Sequence, residues 1–176
     1  LTSDQPQQDG TASRGAGSGP AGDPAWAGVR AATGTDVDAV REVTDAAYHH
    51  YIARIGIRPA PMDADHAAGI AAGHVYVAGT PVSGVVVLVP GGDHLFLDSI
   101  AVHPRARGTG LGRLLLGFAD AHARRLGLPE IRLYTNALMW ENQELYPRYG
   151  YEFTERRVDG VYDRFHYRKR LAPHAL

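Results

Sequence analysis

Leu111, Leu114, Leu115, Phe118, Ala119, His122 and Leu126 recur at three- and four-residue intervals, the spacing of one helix face. Gly127 and Pro129 end that pattern, so a helix is expected up to Leu126. Val37, Val40, Val43, Ala47 and Tyr48 repeat the same spacing behind Thr35 and Asp36, either of which suits a helix cap. Shorter helices are expected from an Asp63 cap to Ala72, and from Trp140 onward. Ala27–Ala32 is expected as the first strand, and compact β-branched and aromatic runs follow at Val75–Ala78, Val85–Val89, Leu95–Val102 and Ile131–Asn136. Their composition and length mark strands. Gly79-Thr80-Pro81 joins the second strand to the third, and Asp159-Gly160 sits midway between Tyr151 and Leu171. A strand pair turning on Asp-Gly is the strongest short-range hairpin signal.

The predicted order is β-α-α-β-β-β-α-β-α-β-β. That is a mixed α/β (α+β) layer, a mostly antiparallel sheet with helices on both faces. Leu1–Pro24 is rich in Gly, Ser, Gln, Asp and Pro and offers little to bury, so residues 1–24 read as a disordered tail. Residues 25–176 form the one expected domain, its first strand close behind Trp26.

Composition narrows the function classes. The chain has 18 basic and 19 acidic residues, a formal net charge of −1, and no general attraction to nucleic acid or anionic membrane. No apolar run approaches the ~20 residues of a membrane span, and the first residues are polar, without a visible leader. A cytoplasmic protein with no membrane and no nucleic-acid partner is expected. Cysteine is absent, which removes disulfides, thiol nucleophiles and thiolate metal sites. The nine histidines show no paired ligand spacing, so no metal is expected. Arg156, Arg157, Arg164, Arg168, Lys169 and Arg170 make the last hairpin basic, which reads as a solvated face or, alternatively, as a surface for an acidic substrate or partner.

One segment carries chemistry. His103-Pro104-Arg105-Ala106-Arg107-Gly108-Thr109-Gly110-Leu111-Gly112 stands between a strand and a helix. A helix N-terminus presents unpaired N–H donors and roughly half a positive charge. Glycines let backbone approach a ligand, and arginine matches phosphate geometry. An anion, phosphate or pyrophosphate, is expected here. The glycines are spaced Gly-x-Gly-x-Gly with no following lysine, so neither a P-loop nor a dinucleotide fingerprint is met.

Arg105-x-x-Gly108-x-Gly110, followed at once by Leu111-Gly112-x-x-Leu115, resembles the coenzyme A pyrophosphate loop of the GNAT superfamily of N-acetyltransferases. Downstream, Asn142, Tyr146 and the pair Gly150-Tyr151 match a second pattern of that family. The resemblance spans roughly Val29 to Leu171. Ile55-Gly56-Ile57-Arg58-Pro59-Ala60-Pro61-Met62-x-x-Asp65 is similar to a segment of one bacterial branch.

The resemblance implies a sheet whose two central strands splay apart to admit a thioester arm. It implies acetyl-CoA as co-substrate, held by Ile100, Ala101, Val102, Arg105, Arg107, Gly108, Thr109, Gly110, Leu111, Gly112, Arg113 and Asn142. Tyr146 would then lie near the coenzyme sulfur. Asp98 would be the base or, equally, a structural carboxylate. Strict alternation would put Asp98, Ile100 and Val102 on one face. Pro147, directly after Tyr146, should distort its helix. Tyr48, His49, His50 and Tyr51 end the first helix and read as surface or as part of an acceptor wall.

The implied function is transfer of an acetyl group from acetyl-CoA to a primary amine, of a small molecule or a protein; the alternative is a non-catalytic acyl-CoA-binding or sensing domain. A homodimer is also implied. A lysine-like amine of pKa ~10.4 costs roughly 4–5 kcal/mol to deprotonate at pH 7. A tyrosine of pKa ~10 protonates a thiolate of pKa ~8.5 only uphill, by about 2 kcal/mol. Tyr146 is therefore expected to donate a hydrogen bond, with any proton transfer coupled to another step.

Overall fold

Seven strands make one sheet: β1 (Val29–Ala31), β2 (Val75–Ala78), β3 (Gly84–Pro90), β4 (Leu95–Val102), β5 (Glu130–Asn136), β6 (Glu152–Asp159) and β7 (Tyr162–Arg170). The helices are α1 (Val37–Tyr48), α2 (Tyr51–Ile55), α3 (His66–Ala71), α4 (Leu111–Arg125) and α5 (Trp140–Arg148). This computed structural model describes residues 28–173, and the expected tail over 1–24 lies outside them. The sheet order is β1-β2-β3-β4-β5-β7-β6. Every neighbouring pair is antiparallel except β4 with β5.

The two faces carry separate cores. Leu115, Phe118 and Ala119 of α4 pack with Val86, Leu88, Leu95, Leu97, Ile131 and Leu133 on one side. Val40, Val43 and Ala47 of α1 pack with Val75, Val77, Val85 and Ala101 on the other. Each fully buried aliphatic or phenyl side chain contributes on the order of 1.5–3 kcal/mol. All four β2 residues are buried, because helices cover both of its faces. By contrast, every residue of the edge strand β6 is exposed.

Local chemistry adjusts two of the expected boundaries. Asp36 precedes α1, but its carboxylate accepts two bonds from Arg30 at 2.7 and 2.9 Å and the Thr33 N–H at 2.8 Å. Arg30 holds that carboxyl far below the usual range, against the opposing effect of burial. Asp36 therefore ties β1 to a 3-10 turn and makes no side-chain cap on α1. Likewise α3 starts at His66, with Asp65 accepting the Ala68 N–H at 2.9 Å. Asp63, the expected cap, instead closes a 3-10 turn over Ala60–Asp63 and pairs with Arg58.

Two irregularities in the centre of the sheet position the site. First, β4 and β5 pair only at Leu95↔Ile131 and Phe96↔Arg132. Beyond Phe96 they part, while β5 stays paired to β7 as far as Asn136↔Arg164. Second, β4 carries a bulge: Val87 opposes Ser99 and Leu88 opposes Leu97, which leaves Asp98 without a partner. One extra residue reverses the alternation of side chains. Leu95, Leu97, Ile100 and Val102 all meet the α4 core, whereas Ala101 joins the α1 core. The expected common face for Asp98, Ile100 and Val102 is thus corrected: Asp98 lies on the α1 side. Among the described residues no helix is long and apolar enough to cross a membrane.

Candidate active site

The gap between β4 and β5 exposes backbone. His103 N–H binds the Ser83 carbonyl at 2.8 Å, so His103 and, two residues back, Ala101 direct their backbone groups toward β3. Those of Ile100 and Val102 point into the gap. Ala101, named with them from the sequence, is turned away on both counts: its backbone faces β3 and its side chain is buried under α1. The Tyr48 hydroxyl reaches across and donates to the Ile100 carbonyl at 2.9 Å. Burial raises that phenol, while the bond to Ile100 opposes the shift.

At one end of the gap lies the glycine loop. Gly108 and Gly110 adopt φ of +75° and +84°, a region costing L-residues roughly 1–2 kcal/mol. A Cβ at either would meet nothing within 4 Å, so both open on free space. Gly110 is the N-cap of α4 and supplies no side-chain cap, which leaves the first-turn N–H groups without an acceptor from their own helix. Arg107, Gly108, Gly110, Gly112 and Arg113 line a channel of about 530 Å³. It runs inward past Val102 and Ile100 to Tyr48, Asn142 and Tyr146.

The structure separates the loop residues. Arg105 bonds the Val82 carbonyl at 2.7 Å and approaches Glu42 at 3.6 Å, bracing the β2–β3 turn instead of lining the channel. Thr109 closes the loop on the Ala106 carbonyl at 2.6 Å. Leu111 packs over Gly84, where an added Cβ would meet it at 3.0 Å. These three shape the loop from behind, while Arg107, Arg113 and the glycines present it.

At the other end a cleft of about 130 Å³ opens on the α1 side. Its walls are Asp98 and Ser99 of β4, Tyr134 and Asn136 of β5, Arg164 of β7, and the segment from Ile55 to Ala64. Asp98 is open to this cleft yet surrounded by enough protein that desolvation raises its carboxyl, with the Arg164 charge opposing. Channel and cleft meet at four residues: Tyr48, Ile100, Asn142 and Tyr146 line both.

Tyr146 is almost wholly buried, 4% exposed, with its ring 5.5 and 5.8 Å from those of Tyr151 and Tyr167. Burial drives its phenol well above the ordinary value, and no described residue hydrogen-bonds the hydroxyl. Pro147 does not derail the helix, which ends at Arg148. Only one internal N–H is missing, and the Tyr146 carbonyl accepts the N–H groups of Tyr149 and Tyr151 at 3.0 and 3.1 Å. The Asn142 amide donates to Thr135 Oγ1 at 2.9 Å, fixing α5 to β5. Glu144 is exposed and within 3.8 Å of Arg148.

A clamp outside the joint went unread in the sequence. Arg54 of α2 donates to both Glu141 oxygens at 2.8 and 2.9 Å and lies 4.4 Å over the Trp140 ring. This bidentate pair pulls the Glu141 carboxyl down to about 2 and ties α2 to the start of α5. Tyr48, read as surface or acceptor wall, is another member of the joint. Its hydrophobic spacing in α1 was legible, but its partner lies 52 residues away.

A parted central strand pair, a β-bulge beside it and a glycine loop capping the following helix define the GNAT acyltransferase fold. A family model described as the acetyltransferase (GNAT) domain matches residues 71–153. No curated protein matches the chain in sequence. Among solved structures, the PaiA N-acetyltransferase of Thermoplasma acidophilum in complex with coenzyme A superimposes with a TM-score of 0.69 at 18% identity, covering 81% of this chain and 98% of that one. A GNAT-family acetyltransferase from Listeria monocytogenes gives 0.64 at 20% identity, over 81% and 94%. YncA from Salmonella typhimurium, solved with acetyl-CoA, gives 0.62 at 20% identity, over 84% and 95%. The chain therefore has the GNAT fold, and its residues 71–153 are similar to the GNAT acetyltransferase domain.

Proposed function

We propose that the chain transfers an acetyl group from acetyl-CoA to the primary amine of a small molecule or a protein. The observation that carries this reading is the joint itself: a channel floored by bare backbone donors and a cleft bearing a raised carboxyl converge on Tyr146.

The channel fits the coenzyme. Gly108, Gly110, Gly112 and the first turn of α4 offer N–H donors to a pyrophosphate, with Arg107 and Arg113 adding charge. Ile100 and Val102 offer strand-edge groups to the amides of an extended arm. Asn142 orients α5 beside that arm. Arg105, Thr109 and Leu111 hold the loop in place, and Ala101 takes no direct part. When bound, acetyl-CoA supplies an acetyl thioester.

Asp98 receives a proton from the incoming ammonium, directly or through a water, and its raised pKa makes it a better base than an exposed aspartate. The neutral amine nitrogen then bonds to the acetyl carbon, and the carbon–sulfur bond breaks. Tyr146 faces the departing sulfur. Burial makes it a still weaker acid than a free phenol, so it keeps its proton and stabilises developing charge as a hydrogen-bond donor. The second amine proton balances the thiolate. The protein works in the cytoplasm without nucleic acid or membrane, and a homodimer is compatible with the reading.

A panel of primary amines assayed by released coenzyme A thiol tests this. Acetylation of at least one class, with Tyr146→Phe lowering kcat and leaving coenzyme A affinity unchanged, supports it. Coenzyme A binding without turnover of any amine returns the chain to the non-catalytic sensing class. No coenzyme A binding in a thermal shift rejects both.

A further inference from the structure

The cleft holds a cation that the acetyl-transfer chemistry does not use. Arg164 of β7 is half-buried, with its guanidinium carbon 4.3 Å from the ring centroids of both Tyr134 and Tyr162. Three other arginines of the same hairpin are neutralised, Arg156 by Asp163 at 2.5 Å, Arg157 by Glu155 at 2.5 Å and Arg168 by Glu152 at 4.0 Å, and Arg170 is exposed to solvent. No described carboxylate lies within 4.0 Å of Arg164. Asp163, its sequence neighbour, is turned to Arg156.

Removing part of a guanidinium's hydration without an anion is unfavourable, and stacking on two rings offsets only part of that cost. It also sets the plane. A guanidinium stacked against rings keeps its N–H edge for hydrogen bonds, and that edge matches a carboxylate in bidentate fashion.

The same cleft carries the complement. Asp98 lines the same cleft and feels the Arg164 charge, but the two do not form an ion pair. An anion and a cation thus face one space without neutralising each other. Ile55, Ile57, Pro59 and Pro61 supply an apolar side wall. A ligand matching all three walls carries an ammonium, an anion and a hydrocarbon group as three branches. With a single arginine present and a cleft of about 130 Å³, the anion matches a carboxylate on a small molecule.

We propose that the acceptor is an amino carboxylic acid with an apolar side chain, its carboxylate bound by Arg164 and its amine directed to Asp98. This rests on the acetyl-transfer reading, and it makes Arg164 a specificity residue that selects the acceptor from the side away from the thioester.

The test uses matched acceptors: leucine and phenylalanine, their amides, and the corresponding amines without the carboxylate. In the parent protein the carboxylates are expected to exceed the amides and simple amines by about tenfold or more in kcat/KM. Arg164→Gln is expected to raise KM for the carboxylates about 10- to 100-fold, the range for hydrogen bonds to a charged group, with little change for the amides. Arg164→Lys, which keeps the charge but not the fork, recovers only part of the preference. Equal or better use of the amides by the parent overturns the proposal, as does a uniform loss on all acceptors in Arg164→Gln. Calorimetric titration of the same compounds into coenzyme A-loaded protein separates the two readings. Arg164-dependent binding of the amino acids without turnover upholds the ligand class and rejects acetyl transfer; absence of both rejects both.

Discussion

The donor channel and the acceptor cleft are built from different materials. The channel is mostly main chain: two glycines in the left-handed region, the N-terminus of α4 and the parted edge of β4. The cleft is mostly side chain, drawn from β4, β5, β7 and the segment that follows α2. Main-chain ligand sites demand particular residue types at fixed offsets, and so leave a motif. Side-chain sites demand only that distant residues end up facing one another.

That difference should separate experimentally, and the largest effect is expected where the two regions meet. Tyr146→Phe removes one of the two hydroxyls, the other being that of Tyr48, on residues that line both channel and cleft. It should lower kcat about 100- to 1,000-fold, the range for one lost oxyanion-type donor, with coenzyme A affinity preserved by calorimetry. A parallel loss of coenzyme A binding would place Tyr146 in the donor region alone.

Asp98→Asn probes the cleft, with an expected loss of about 10- to 100-fold in kcat/KM for the amine. Desolvation raises this carboxyl and Arg164 opposes, so the rate should fall on acidification at a higher pH than an exposed aspartate would set. The Asn variant should lack that acid limb. A carboxyl raised in the folded state binds its proton there more tightly than in the unfolded chain, so its contribution to stability falls as pH rises. The same variant should therefore melt higher than the parent at neutral pH. A lower Tm would mark Asp98 as structural.

Gly110→Val probes the channel. A β-branched residue at φ +84° is strained by roughly 1–2 kcal/mol, and coenzyme A binding should weaken about tenfold with the ranking of amines unchanged. Tyr48→Phe is milder: one net hydrogen bond is worth about 1 kcal/mol, so a change of about fivefold in kcat/KM is expected. Smallest is Arg105→Ala. Because Arg105 braces the Val82 carbonyl, its loss should lower Tm while coenzyme A affinity stays within about twofold. Arg107→Ala should show the reverse, together with a weaker salt dependence of binding.

The same division explains what could be read from the sequence. β2, β4 and the start of α4 declared themselves through β-branched runs and helical spacing, and the Asp159-Gly160 turn marked the last hairpin. The anion loop was legible because Gly108 and Gly110 have few alternatives at positive φ. Arg105 and Arg107 were indistinguishable by composition; only the fold shows one turned to Val82 and the other to the channel. Arg164 looked like its charged neighbours, since what singles it out is the pair of rings from Tyr134 and Tyr162 and the absence of a nearby described carboxylate. The bulge at Asp98 left no mark either. Leu95–Val102 is a plausible uninterrupted strand, and the extra residue appears only against the register of β3.

That bulge works as a frame marker in the strand. Before Asp98, even and odd positions have one assignment to the two faces; after it, the opposite. Simple alternation carried on from Leu97 would send Ile100 and Val102 toward α1 and Ala101 toward α4; the extra residue at Asp98 keeps each in its own compartment. Deleting Asp98 alone should therefore leave every later side chain on its present face while removing the cleft carboxyl, whereas inserting one residue between Ser99 and Ile100 should exchange Ile100, Ala101 and Val102 between the compartments. The strand thus turns a carboxyl into the cleft without disturbing the packing register beyond it.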